Sequence, residues 1–283
     1  MEPRWSWLLT QWNFEPSVVL GLTAFTAAYL YACGYQLPFG SAGRTRREPL
    51  CSPSQLRWFL ASDVVLVIAL LSPLDYVGDE FLFSAHMIQH LLLASVWPPL
   101  LLLGLPQQLV APAFCTPVVG RALRWLTFPA IAFIIFNVDI TIWHLTAWYD
   151  LTLQNEAVHV VEHLSFMVAG VLMWWPVLSP IRSQRLSFGM QELYLFANLF
   201  PMMALGIFFT FWQHPLYAPY INAPRLWGIP ALTDQQVGGL IMWMPGDLPY
   251  AIAMAATLMF WIERGDPAEQ RRKPTLPLEG HGV

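Results

Sequence analysis

The chain has 283 residues, 56% of them hydrophobic and only 11% charged, with a mean hydropathy of +0.49. A soluble domain of this length carries more charge, and several apolar runs approach the ~20 residues that cross a bilayer. A net charge of −4 is too small to speak to nucleic acid, but no basic stripe interleaved with aromatics appears and no nucleic-acid partner is expected. The composition predicts an all-α polytopic bundle with the lipid bilayer as its solvent.

Residues 1–16 contain Trp5, Trp7 and Trp12 and one basic residue, Arg4. A secretory signal needs a basic start and a cleavage site, so this stretch reads as an interfacial segment before a retained helix. A transmembrane domain over 17–264 follows, with seven spans expected near 17–35, 55–73, 80–104, 128–149, 155–176, 189–212 and 235–262. The intervening loops at 40–53, 105–126, 180–188 and 214–234 are polar or rich in Pro and Gly. Residues 265–283 form a polar tail expected to be disordered. Pro98-Pro99, Pro201, and Pro245-Gly246 with Pro249 interrupt spans three, six and seven. The carbonyls they free must face protein or a wet cavity.

Basic residues set the expected orientation. The N-terminus and the loops after spans two, four and six hold only Arg4 and Arg225. The loops after spans one, three and five, with the tail, hold Arg44, Arg46, Arg47, Arg57, Arg121, Arg124, Arg182, Arg185, Arg264, Arg271, Arg272 and Lys273. That asymmetry places the N-terminus outside and the C-terminus in the cytoplasm.

Two pairs, His86/His90 and His159/His163, have i,i+4 spacing and so project from one helix face. Spans three and five both run inward, which sets these histidines ~6 to ~15 Å below the outer ends at ~1.5 Å per residue. Span four carries His144 near its outer end, and His214 follows span six on the same side. His281 lies in the tail. A lone intramembrane histidine commonly hydrogen-bonds a neighbouring helix, whereas five at one depth from three helices favour a metal or cofactor. Imidazole suits copper, zinc or iron. Met167 prolongs the His159/His163 stripe, Met87 adjoins His90, and Met242 sits in outer span seven. Their thioethers would select Cu(I), although methionine is also ordinary packing material. His214 remains open between ligand and loop residue.

Cys33, Cys51 and Cys115 all fall on the expected cytoplasmic side and form no C-x-x-C, so an outer site must use His, Met or carboxylate. Glu162, between the second pair of histidines, is placed to orient an imidazole from behind the ligands. For Asp139 and Asp247 an interhelical hydrogen bond is the expected role.

These motifs resemble the integral-membrane CtaG family of cytochrome c oxidase assembly factors. The resemblance rests on His86-Met87-Ile88-Gln89-His90 with Pro98-Pro99 and Leu103-Gly104-Leu105-Pro106, and on Trp143-His144 with Trp148-Tyr149-Asp150. It continues through Val158 to Phe166, Trp174-Trp175-Pro176, Leu216 to Tyr220, and Asp234 to Trp243, covering roughly 17–264. It implies a multi-pass bacterial inner-membrane protein, not an enzyme, that helps mature a haem-copper oxidase by handling copper. Its partners would be an oxidase subunit and an outer-side copper donor. Carried onto this sequence, the candidate ligands are His86, His90, His144, His159 and His163, with Asp234 and Met242 near the same mouth. The soluble copper chaperone that shares the family name uses cysteines, so its mechanism does not transfer. Two alternatives stay open. One is an intramembrane zinc-dependent lipid hydrolase with Glu162 as base. The other is an electron carrier with a single b-type haem on the outer side.

Overall fold

The computed structural model describes residues 5–34 and 49–264. The expected tail at 265–283 and most of the 40–53 loop lie outside the described residues. Every regular element among those described is helical.

In chain order the helices are α1 (Trp5–Leu8), α2 (Pro16–Ala32), α3 (Pro53–Leu70), α4 (Pro73–Glu80) and α5 (Phe83–Leu91). A π-turn (Leu92–Val96) joins α5 to α6 (Trp97–Gly104). Then come α7 (Gln107–Cys115), α8 (Pro117–Leu126), α9 (Pro129–Trp143), α10 (Thr146–Thr152) and α11 (Glu156–Leu178). The chain closes with α12 (Phe188–Phe211), α13 (Ala218–Asn222), α14 (Ala231–Trp243) and α15 (Leu248–Arg264).

Proline starts many of these helices, occupying the first turn of α2, α3, α4, α8 and α9, where its missing N–H costs nothing. Ser52 and Gln55 add a full capping box to α3.

Among the described residues, four stretches are each long and apolar enough to cross a membrane: Pro53–Glu80, Phe83–Gly104, Glu156–Leu178 and Phe188–Phe211. A fifth candidate is the pair α8 and α9, bent by 68° at its junction. The first expected span is a helix of 17 residues. The seventh is divided, as its Pro-Gly pair predicts, by a 3-10 turn at Pro245–Asp247 between α14 and α15.

Three details depart from expectation. The 105–126 stretch is two helices rather than a loop, because Pro117 opens α8 at its first position instead of ending a helix. The short α4 fills the gap expected between spans two and three. Pro201 leaves α12 continuous, since a lost backbone bond inside a bundle is tolerated where neighbouring groups enclose the freed carbonyl.

The π-turn sits one residue beyond the His86/His90 helix. Pro98 and Pro99 cannot donate backbone hydrogen bonds, so the ladder there is broken and the turn widens. Gly170 of α11 lies against it, where a Cβ would come within 2.5 Å of the Ala94 carbonyl oxygen. That close approach sets α5 and α11 face to face. A second close crossing joins α12 and α14 at Gly206 and Gly239, where added Cβ atoms would meet backbone atoms at 2.6 to 2.8 Å. Small residues at such crossings let helix backbones approach in the membrane.

Candidate metal centre

The starts of α5 and α11 and the end of α9 meet at one end of the bundle. Their histidines share one buried cluster. His86 and His90 have ring centroids 4.1 Å apart, and His159 and His163 lie 4.2 Å apart. Between the helices, His86 stands 5.3 Å from His159, and His90 stands 5.5 Å from His163 and 5.7 Å from His144. His86 is wholly buried, and His90, His144 and His163 nearly so.

Among the described residues, two groups have ligand atoms that all lie within 4.8 Å of one another. One is His86, His90, Glu162 and His163; the other is Asp79, His86 and His159. In the second, Asp79 Oδ1 lies 3.1 Å from His86 Nδ1 and its Oδ2 lies 3.7 Å from His159 Nδ1. In the first, Glu162 Oε1 is 3.8 Å from His90 Nε2. Glu162 thus faces the space among the imidazoles rather than standing behind one ring.

Five imidazole nitrogens here are buried with no hydrogen-bond partner among the described residues: Nε2 of His86, His159 and His163, and both nitrogens of His90. Both Glu162 oxygens are likewise unpartnered; the adjacent Thr152 hydroxyl is spent on the Tyr149 carbonyl at 2.7 Å. Each buried polar atom left so costs ~1–3 kcal/mol. Nitrogen lone pairs and a carboxylate converging on one small space have the donor set of a borderline or soft metal ion, so these residues fit such an ion.

Surrounding bonds hold the ligand helices in place. Asp234 of α14 accepts from the Phe83 backbone N–H at 2.7 Å, the Ser84 N–H at 3.1 Å and the Ser84 hydroxyl. It therefore caps the helix bearing His86 and His90, and both its oxygens are used there. Gln89 donates to Asp75 Oδ1 at 2.7 Å and to the Ala69 carbonyl at 2.9 Å, tying α5 to α3 and α4. Gly78 of α4 sits where a Cβ would come 3.0 Å from the His86 backbone.

An aromatic cover of Phe83, Tyr149, Tyr217 and Tyr220 closes this end. Tyr217 donates to the His144 carbonyl at 2.8 Å and Tyr220 to the Gly78 carbonyl at 2.7 Å. Burial pushes both phenols well above their ordinary range, so they stay neutral donors.

A groove of about 760 Å³ between α2, α4 and α11 reaches His159 and His163. It is lined by the acids Glu15, Asp75, Asp79, Glu80 and Glu156 and by apolar side chains that include Phe25, Leu66, Trp97 and Met167.

Of the expected site residues, His86, His90, His144, His159, His163 and Glu162 come together. Met87 and Met242 line a small cavity behind His90 and His144, and Met167 lines the groove. His214 is exposed outside the cluster. Asp139 accepts from Trp143 Nε1 at 3.1 Å within its own helix, and that indole also donates to Ser165 of α11. Asp79 carries no signal in the sequence, because the break at Phe81–Leu82 removes the helical phase that would relate it to His86.

The structure therefore defines a helical protein with spans apolar enough for a membrane and a buried histidine–carboxylate cluster able to hold a metal ion. Residues 35–264 match the family described as cytochrome c oxidase caa3 assembly factor (Caa3_CtaG), and the chain belongs to that family. Among curated proteins it is 26% identical over 282 residues to uncharacterised proteins of Mycobacterium bovis and Mycobacterium tuberculosis. Those alignments cover 91% of this chain and 40% of each relative. A Mycobacterium leprae protein is also 26% identical, over 275 residues, with 90% and 40% coverage. The chain thus spans about 40% of the length of the curated relatives it matches. No solved structure matches.

Proposed function

We propose that this chain is a multi-pass protein of a bacterial inner membrane that assists assembly of a haem-copper cytochrome c oxidase. It does so by carrying Cu(I) to the oxidase, and it is not itself an enzyme. The observation that carries this reading is the set of buried, unpartnered imidazole nitrogens around Glu162, in a family described by oxidase assembly. The ion is cargo. It arrives from an outer-side donor through the acidic groove, meets Asp79 and His159, and settles among His86, His90, Glu162 and His163. Seven spans with the N-terminus outside put this end of the bundle in the outer leaflet, a placement supported by the basic-residue asymmetry. Contact with an oxidase subunit in the membrane would then deliver the ion at the depth of a buried centre.

What favours an ion over a haem is that neighbouring imidazoles and Glu162 fill the space between the rings. A zinc hydrolase has the same donors available, and the metal retained by the purified protein distinguishes it.

The cellular test compares a strain lacking the chain with strains restored by wild type or by the His86→Ala/His163→Ala double variant. Wild type restores copper to the oxidase, and the variant yields oxidase with haem but depleted of copper. Full copper loading by the variant, at equal protein level, would remove the cluster from the pathway.

A further inference from the structure

We propose that this protein has a second position for a soft monovalent ion, between His144 Nε2 and the sulfurs of Met87, Met202 and Met242. The inference deepens the copper reading and rests on it. It divides the cargo path into a histidine–carboxylate position and a thioether position behind it.

The contacts of His144 fix its tautomer. Its Nδ1 lies 2.8 Å from the Ile140 carbonyl oxygen. A carbonyl only accepts, so Nδ1 carries the hydrogen and the neutral ring presents a lone pair at Nε2. That lone pair faces Met87 Sδ at 3.4 Å, and a thioether has no hydrogen to offer. Two acceptors therefore confront each other on side chains at least nine-tenths buried. A doubly protonated ring would satisfy the contact, but among the described residues no carboxylate lines this cavity to balance the charge. A soft cation satisfies both atoms. Bonds of about 2.0 Å to nitrogen and 2.3 Å to sulfur span 3.4 Å at an angle near tetrahedral.

The remaining donors arrive through packing. Met202 is one turn from Gly206 and Met242 three residues from Gly239, and these glycines form the close crossing of α12 and α14. Both methionines are almost wholly buried and line the same cavity as Met87 and His144. That cavity has ≈ 10 Å³ open to the centre of a water-sized sphere, room for a single ion or water. His90 lines it too and also belongs to the histidine–carboxylate group, which makes it the shared wall. Thioethers with imidazole select Cu(I) over harder ions.

The test is copper K-edge absorption on full-length protein in detergent, loaded with Cu(I) under reducing conditions. Wild type and Met87→Leu/Met202→Leu/Met242→Leu are compared, since Leu for Met conserves volume. Wild type is expected to show a sulfur shell near ~2.3 Å with nitrogen scatterers, and the triple variant to lose that shell and about one ion per chain. Protein grown on selenomethionine gives the same readout with no substitution, because selenium replaces sulfur in the shell. Bound copper with nitrogen and oxygen scatterers alone overturns this second position and leaves the histidine cluster standing. A wild type that binds no copper overturns both.

Discussion

Glu162 is the residue whose chemistry is most exposed to test. It is wholly buried, its two oxygens have no hydrogen-bond partner, and one lies 3.8 Å from His90 Nε2. A carboxylate in that position costs stability unless a cation shares the space. Glu162→Gln keeps the shape and removes the charge. We expect Cu(I) affinity, measured by competition with a chromogenic chelator, to fall at least about tenfold. The melting temperature of the metal-free protein should hold or rise. Unchanged affinity would show that Glu162 is no ligand. Asp234 predicts the opposite pattern. Its oxygens cap α5, so Asp234→Ala should cost about 0.5–2 kcal/mol in thermal unfolding and weaken copper binding only through looser placement of His86 and His90. The histidine pairs were legible in the sequence because i,i+4 spacing fixes a shared face. The capping role of Asp234 was not, since it joins residues 150 positions apart.

Among the elements, two close crossings position everything else. Gly170 against the Ala94 carbonyl holds α11 beside the π-turn, and Gly206 with Gly239 brings α12 onto α14. A methyl group at either crossing meets backbone, which cannot rotate away. Gly239→Ala should therefore destabilise by about 1–3 kcal/mol and displace Met242. The readout is thermal unfolding in detergent, and a melting temperature equal to wild type would deny the crossing. Proline and glycine made part of this legible: the break at Pro245–Asp247 follows from its residues. The helices in 105–126 did not announce themselves, because Pro112, Pro117 and Gly120 read equally as loop punctuation or as helix starts. The proximity of Met202 to Met87 was hidden as well. Sequence periodicity gives each helix a face but not its rotation against its neighbours.

At the scale of the whole molecule, copper entry from an outer donor needs the histidine end of the bundle to face the outer compartment. A reporter active only in the cytoplasm, fused after residue 264, should be active, and one fused in the 223–229 loop should be silent. The reverse pattern would place the cluster on the cytoplasmic side and remove an outer donor from the scheme. Hydropathy made the helical class legible, whereas the convergence of three helix ends on one buried space required coordinates. The central claim is that this space holds copper. Its most direct test is the metal content and absorption spectrum of the protein purified in mild detergent from copper-replete, reducing conditions, beside the His86→Ala/His163→Ala variant. Copper is expected in the wild type, with its loss in the variant and no Soret band in either. Tightly held zinc, a Soret band, or copper retained equally by the variant would contradict that claim.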